Sequence, residues 1–159
     1  MIERATVDVS VALKWALDDE EGLTEALALR DAMVVHRRLR LFAPRLFAYE
    51  ATNGLVMAAR RGRISMEDAL EAAQDLLAVG VEFVDPPMHQ VALLAAVGGL
   101  TAYDAAYVAV AGQCGGVLWT DDGPVFRCLA QEASRARLGA ALPGFAVPVA
   151  MKITSFQTR

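Results

Sequence analysis

Apolar residues fall along this chain in two alternating patterns: short unbroken runs, and longer stretches where they recur every three or four positions. The short runs at 4–9, 40–43, 81–84 and 117–120 read as strands. A helix follows each. Ser10 suits the N-cap of a short helix ending near Leu17. After the acidic loop 18–22, a helix is predicted from Leu23 to Leu39, with Leu23, Ala26, Leu27, Arg30, Met33 and Val34 at helical spacing. A second long helix is predicted from Leu46 to Arg61, stopped by Gly62. Ser65, with Glu67 and Asp68 behind it, opens a helix that stops at Gly80. Further helices are predicted from Met88 to about Val97, from Thr101 to about Ala111, and from Gly123-Pro124 to near Ser134. The run 145–151 suits a fifth strand at a sheet edge, because Pro148 has no N–H to donate.

Strands alternating with helices predict an α/β fold around a mainly parallel sheet of four to five strands. The strands are largely apolar, as expected for a sheet covered on both faces. In open sheets of this kind ligands bind beyond the carboxyl ends of the strands. No repeat or linker divides the chain, so residues 1–150 form one expected domain and 151–159 a C-terminal tail.

Composition narrows the picture. The chain has 159 residues, 55% of them hydrophobic, and a mean hydropathy of +0.35. No apolar run reaches the roughly 20 residues of a membrane span. The N-terminus lacks the pattern of a signal peptide, so a cytoplasmic protein with no membrane role is expected. The apolar surplus suits a surface covered by another chain. Cys114 and Cys128 have no metal or disulfide spacing, and His36 and His89 form no ligand pair. The net charge of −4 excludes a generally basic nucleic-acid binder. All basic residues except Lys14 and Lys152 are arginine, and the arginines form clusters at 37–40 and 60–63 with others elsewhere along the chain. They read either as solvated helix ends or as bidentate phosphate grips.

Against this apolar background four acids stand at segment ends. Asp8 closes the first strand, Glu50 lies in the early turns of a helix, Asp104 follows Thr101 at capping-box spacing, and Asp122 follows the fourth strand. Burying a carboxylate costs several kcal/mol unless it is paired. A shared divalent cation would pair all four. Acid-only ligands suit Mg²⁺ or Mn²⁺ rather than Zn²⁺. The adjacent Asp121 leaves open which of the two aspartates belongs to the set.

The segments Val7-Asp8-Val9-Ser10-Val11-Ala12-Leu13-Lys14-Trp15, 43–53, Leu100-Thr101-Ala102-Tyr103-Asp104-Ala105-Ala106-Tyr107 and Leu118-Trp119-Thr120-Asp121-Asp122 together resemble the PIN-domain ribonucleases, in particular the VapC-type toxins of toxin–antitoxin pairs. Order, spacing and length match over almost the whole chain. The resemblance implies a three-layer α/β/α, Rossmann-like PIN fold. It implies Asp8, Glu50, Asp104 and Asp122 as catalytic and metal-binding acids, Ser10 and Thr120 as hydroxyl partners, and Asp121 as an auxiliary. Lys14, Arg45 and Arg127 become candidate RNA contacts. The family's last motif often continues with basic residues, whereas here Gly123-Pro124 intervene before Arg127.

The implied activity is endoribonucleolytic: the carboxylates hold the cation whose water hydrolyses an RNA phosphodiester, in tRNA or rRNA by family habit. A VapB-type antitoxin and a homodimer follow from the same likeness. A catalytically silent PIN-like binding module is the alternative. An aspartyl-phosphate hydrolase would carry Asp-x-Asp where Asp8-Val9-Ser10 stands, and no Gly-x-Gly-x-x-Gly follows the first strand for a dinucleotide.

Overall fold

The computed structural model describes residues 1–156. In chain order its elements are β1 (Glu3–Val7), α1 (Val9–Ala12), α2 (Leu23–Val34), β2 (Leu39–Ala43), α3 (Leu46–Arg60), α4 (Met66–Ala78), β3 (Glu82–Phe83), α5 (Met88–Gly98), α6 (Ala102–Gln113), β4 (Val117–Trp119), α7 (Gly123–Ala130), α8 (Glu132–Ala141) and β5 (Val149–Met151). Single 3₁₀ turns follow α1, at Leu13–Trp15, and β5, at Ile153–Ser155.

The strands form one sheet in the order β3-β2-β1-β4-β5, every pair parallel. The sequence runs outward from β1 to β3 and then resumes on the other side of β1 at β4. The junction between β1 and β4 is therefore the topological switch point, where open α/β sheets form ligand crevices. Helices cover both faces, as the apolar strands require: Val7, Leu41, Ala43 and Leu118 are fully buried. This is the three-layer α/β fold expected from the sequence.

Helix α6 explains how the site is braced. Every residue from Ala105 to Ala111 is buried, and the helix packs against β1, β2 and β4. Its small residues let it lie close to the sheet, and its all-round apolar character is that of an interior helix. Gly115 then permits a tight return into β4. Its φ is +104°, and a Cβ there would meet the Arg4 carbonyl oxygen at 2.2 Å. Among the described residues no single helix is long and apolar enough to cross a membrane. The α5–α6 pair has the composition for it but is bent by 112°.

Several boundaries differ from expectation. Helix α2 stops at Val34 rather than Leu39, because the His36 amide turns back to the Asp31 carbonyl and Arg37 takes a left-handed φ of 50°. The single helix expected to end near Ser134 is two, broken at Gln131, whose backbone is extended. The edge strand is only Val149–Met151. The stretch before it is held instead by the Arg135 guanidinium, which donates to the carbonyls of Val147 and Pro148. Beyond residue 150 the chain packs: Met151 ends β5, Ile153 is fully buried, and Phe156 meets Trp119 edge-on at 5.2 Å. The rest of the expected tail, 157–159, lies outside the described residues.

Candidate metal centre

Asp8 emerges directly from β1, and its backbone amide donates to the Trp119 carbonyl of β4. This bond continues the β1–β4 ladder one residue past the strand, fixing Asp8 at the switch point. Its carboxylate, 6% exposed, accepts from the Ser10 amide at 3.3 Å and from the Thr120 hydroxyl at 2.6 Å. Asp8 is thus itself the N-cap of α1. Ser10, expected to cap, lies inside the helix, and its hydroxyl accepts from the Asp121 amide at 3.0 Å.

The remaining acids arrive from three other elements. Glu50 lies at the fifth position of α3 and accepts from the Tyr107 hydroxyl at 2.6 Å. Asp104 lies in the first turn of α6. Its amide donates to the Thr101 hydroxyl at 3.1 Å, and that hydroxyl donates to its carboxylate at 2.7 Å. The box expected here is thus closed by Thr101 through its side chain. Asp122 caps α7, accepting from the Val125 amide at 2.9 Å, while its own amide donates to the Thr120 hydroxyl at 3.0 Å. Thr120, fully buried, therefore bridges Asp8 and Asp122.

Electrostatics shows that these acids share one neighbourhood. Burial pushes the Asp8 carboxyl up from its ordinary 3.8 to about 6. The Thr120 and Ser10 hydrogen bonds oppose this rise, and the charges of Asp122 and Asp104 add to it. Burial likewise raises Glu50, against the Tyr107 hydrogen bond, with the charges of Asp8, Asp104 and Asp122 adding to the rise. Burial and the adjacent Glu50 carboxylate also hold the Tyr107 phenol protonated, far above its usual range. The hydroxyl is therefore a permanent donor to Glu50.

Among the described residues no three of these side chains stand close enough to grip an ion as they are. Each is instead turned to a hydrogen-bond donor of its own. The donor chemistry nonetheless fits a hard divalent cation: oxygen only, and a mutual repulsion that positive charge would relieve.

The basic candidates separate. Arg127 is exposed, and its guanidinium folds back over Gly123, where an added Cβ would lie 2.9 Å from Nη1. Gly123 begins α7 directly after its cap Asp122, so the Arg127 guanidinium lies over the start of α7. Arg45 pairs with Asp85 at 2.9 Å on the exposed surface. Lys14, expected as an RNA contact, is buried at 6% exposure. Its ammonium donates to the Glu21 carbonyl at 2.7 Å and pairs with Asp121 at 3.3 Å. A phosphate reaching Lys14 would have to displace those partners. In the arginine clusters, Arg40 holds Glu82, and Arg63 holds Asp19 and Glu20.

Tyr107 was missed by the sequence reading. Its signal was its spacing: three residues after Asp104 on one helix, it lies on the same face.

No family model matches the chain. Among curated proteins it is 37% identical over 106 residues to "Exonuclease VapC9" of Pyrobaculum aerophilum, covering 67% of this chain and 79% of that relative. The chain belongs to the VapC-type PIN-domain ribonuclease family. The crystal structure of PAE2754, also from Pyrobaculum aerophilum, shares the fold with a TM-score of 0.61 and 28% identity, over 96% of this chain and 92% of that one. In this chain Asp8 and Asp122 follow the two strands that meet at the switch point, β1 and β4.

Proposed function

We propose that this chain is a metal-dependent endoribonuclease and the toxin of a toxin–antitoxin pair, with Asp8, Glu50, Asp104 and Asp122 as its acids. The observation that carries the reading is the Asp8 carboxylate buried at the β1–β4 switch point and held by Thr120; burial raises it to about 6, and the charges of Asp122 and Asp104 add a smaller part. A fold tolerates such a cluster when a cation is part of its working state.

Asp8, Asp104 and Asp122 would hold Mg²⁺ or Mn²⁺ directly, with Glu50 beside them. When bound, the ion supplies a more acidic water and positive charge at the phosphodiester under attack. The chain's own groups do the rest. Glu50, kept in place by Tyr107, is the carboxylate available to orient the attacking water and take its proton. Thr120 keeps Asp8 and Asp122 in register. Ser10 anchors the loop that carries Asp122. Arg127 grips a substrate phosphate beside that loop. Hydrolysis by water leaves a 5′-phosphate and a 3′-hydroxyl. A 2′,3′-cyclic phosphate product would instead implicate the RNA 2′-hydroxyl.

Partners follow from the same reading. A VapB-type antitoxin segment would lie in the groove between α3 and α4 lined by Ala48, Tyr49, Thr52, Val56, Arg60 and Leu77. Tyr49, 81% exposed, offers apolar surface there. A homodimer in the cytoplasm, acting on tRNA or rRNA, completes the proposal.

The relative's name supports a second reading, in which the enzyme trims RNA from an end. A closed-circular RNA separates the two, because it has no ends. Incubated with purified, antitoxin-free protein in Mg²⁺ or Mn²⁺, the circle should be opened by wild type, and not in EDTA or by Asp8→Asn. A circle that survives while its linear form shortens from one end would establish the exonuclease. If both forms survive folded wild-type protein, the nuclease proposal is wrong for these RNAs.

A further inference from the structure

Asp121 and Asp122 are adjacent acids after β4, and their surroundings divide them. Asp122 caps α7 and adds its charge to that felt by Asp8 and Glu50. The Asp121 carboxylate is engaged elsewhere: one oxygen lies 3.3 Å from the Lys14 ammonium, and the other accepts from the Ile153 amide at 3.3 Å. Lys14 is buried, also donates to the Glu21 carbonyl, and has Glu20 at 3.9 Å. A buried ammonium of this kind is a fixed internal counter-ion.

We propose that Lys14 is a positioning residue: by pairing with Asp121 it decides that Asp122 is the fourth acid, and it ties the 120–122 loop to the C-terminal turn. The ties run in both directions from the loop. The Thr120 amide donates to the Met151 carbonyl, the Asp121 carboxylate takes the Ile153 amide, and the Asp121 amide donates to the Ser10 hydroxyl. Ile153 in turn packs against Gly22, whose φ of +77° and missing side chain admit it; a Cβ there would lie 3.0 Å from Ile153 Cγ2. Without Lys14, Asp121 would be an unpaired carboxylate beside Asp122. It would be repelled by that neighbour and free to compete for its place. This inference rests on the nuclease reading only for its kinetic consequence.

The experiment is a double-mutant cycle on the full chain with Lys14→Met, Asp121→Asn and the pair together. Two things are measured: hydrogen exchange of backbone amides, and cleavage of a fluorophore-labelled oligoribonucleotide cut by wild type. Lys14→Met should speed exchange at 120–122 and 151–155 by about tenfold or more, as expected when local opening becomes easier. It should lower kcat by roughly tenfold with KM within about twofold, the pattern of a lost positioning group. Adding Asp121→Asn to Lys14→Met should restore most of that kcat, since the stray carboxylate is gone. A raised KM at unchanged kcat, or no recovery in the double variant, would overturn the proposal and make Lys14 a substrate contact or a mere core residue.

If Lys14→Met alone does not fold, the double variant is compared with Asp121→Asn. Similar kcat, within about threefold, supports action through Asp121, and a much lower value refutes it. If wild type cuts no RNA, the nuclease reading fails separately, and the exchange rates alone decide: unchanged protection at 120–122 and 151–155 in Lys14→Met sinks the positioning role.

Discussion

At the scale of single residues, the site is a set of private pairings. Thr120 serves Asp8, Tyr107 serves Glu50, Thr101 serves Asp104, and the Val125 amide serves Asp122. Each bond lowers the cost of an ionised carboxylate without removing the repulsion among the four. For Asp8 the balance is unfavourable, since its carboxyl is raised to about 6. A raised carboxyl means that the folded state binds the proton more tightly than the unfolded state. Its stabilising contribution is therefore fully present below pH 3.8 and is lost as the pH rises through about 6. The shift corresponds to about 3 kcal/mol of cost for the ionised form near pH 7. Asp8→Asn should therefore abolish cleavage yet raise the melting temperature in EDTA at pH 7. The gain should shrink toward pH 4, where the wild-type carboxyl is protonated. Adding Mn²⁺ should stabilise wild type and leave the variant unmoved. Thermal melts at several pH values check this, and a variant that melts lower at pH 7 in EDTA would make Asp8 a structural residue.

At the scale of elements, helix starts aim the acids. Asp8 begins α1, Asp122 begins α7, and Asp104 lies in the first turn of α6. Each enjoys the partial positive charge of free amides at a helix N-terminus. Thr101 is the clearest lever, because its one hydroxyl both caps α6 and bonds the Asp104 carboxylate. Thr101→Ala should cost about 1 kcal/mol of stability, the usual value of a lost cap. It should lower kcat by more than that loss of folded protein explains, because Asp104 loses its guide. Chemical denaturation run beside kinetics separates the two effects. The candidate acids stood out in the sequence as polar breaks at segment ends, with the choice between Asp121 and Asp122 left open, and the fold was legible because strand-like and helical periods alternate. Other features left weaker marks. Arg37 ends α2 in a left-handed conformation that no glycine or asparagine advertises. Helix α8 buries only Ser134 and Leu138, too little to print an apolar stripe. The burial of Lys14 was illegible for a related reason. A lysine after a strand-end motif looks like surface, and its partner Asp121 lies over a hundred residues away.

At the scale of the whole molecule, the C-terminal segment is a structural part of the domain. Ile153 is fully buried, and its amide holds Asp121. Ile153→Ala should destabilise the protein by about 2–5 kcal/mol, as removal of a core aliphatic does. It should also loosen the 120–122 loop more than a core truncation under α4, such as Leu76→Ala, of similar cost. Melting temperatures with amide exchange compare the two, and equal protection of the loop in both would separate the C-terminal turn from the site.

The sheet order carries one more implication, and it concerns timing. Strand β5 pairs with β4, and the turn that engages Asp121 lies just beyond it. The brace on the 120–122 loop joins Ser10 and Lys14, which follow β1, to the turn at Ile153–Ser155, so its contacts are far apart in sequence. Contacts between residues distant in sequence carry the largest loop-closure cost and form late. The loop that bears Asp122 is therefore expected to lock in place late in folding, after the contacts between neighbouring elements have formed.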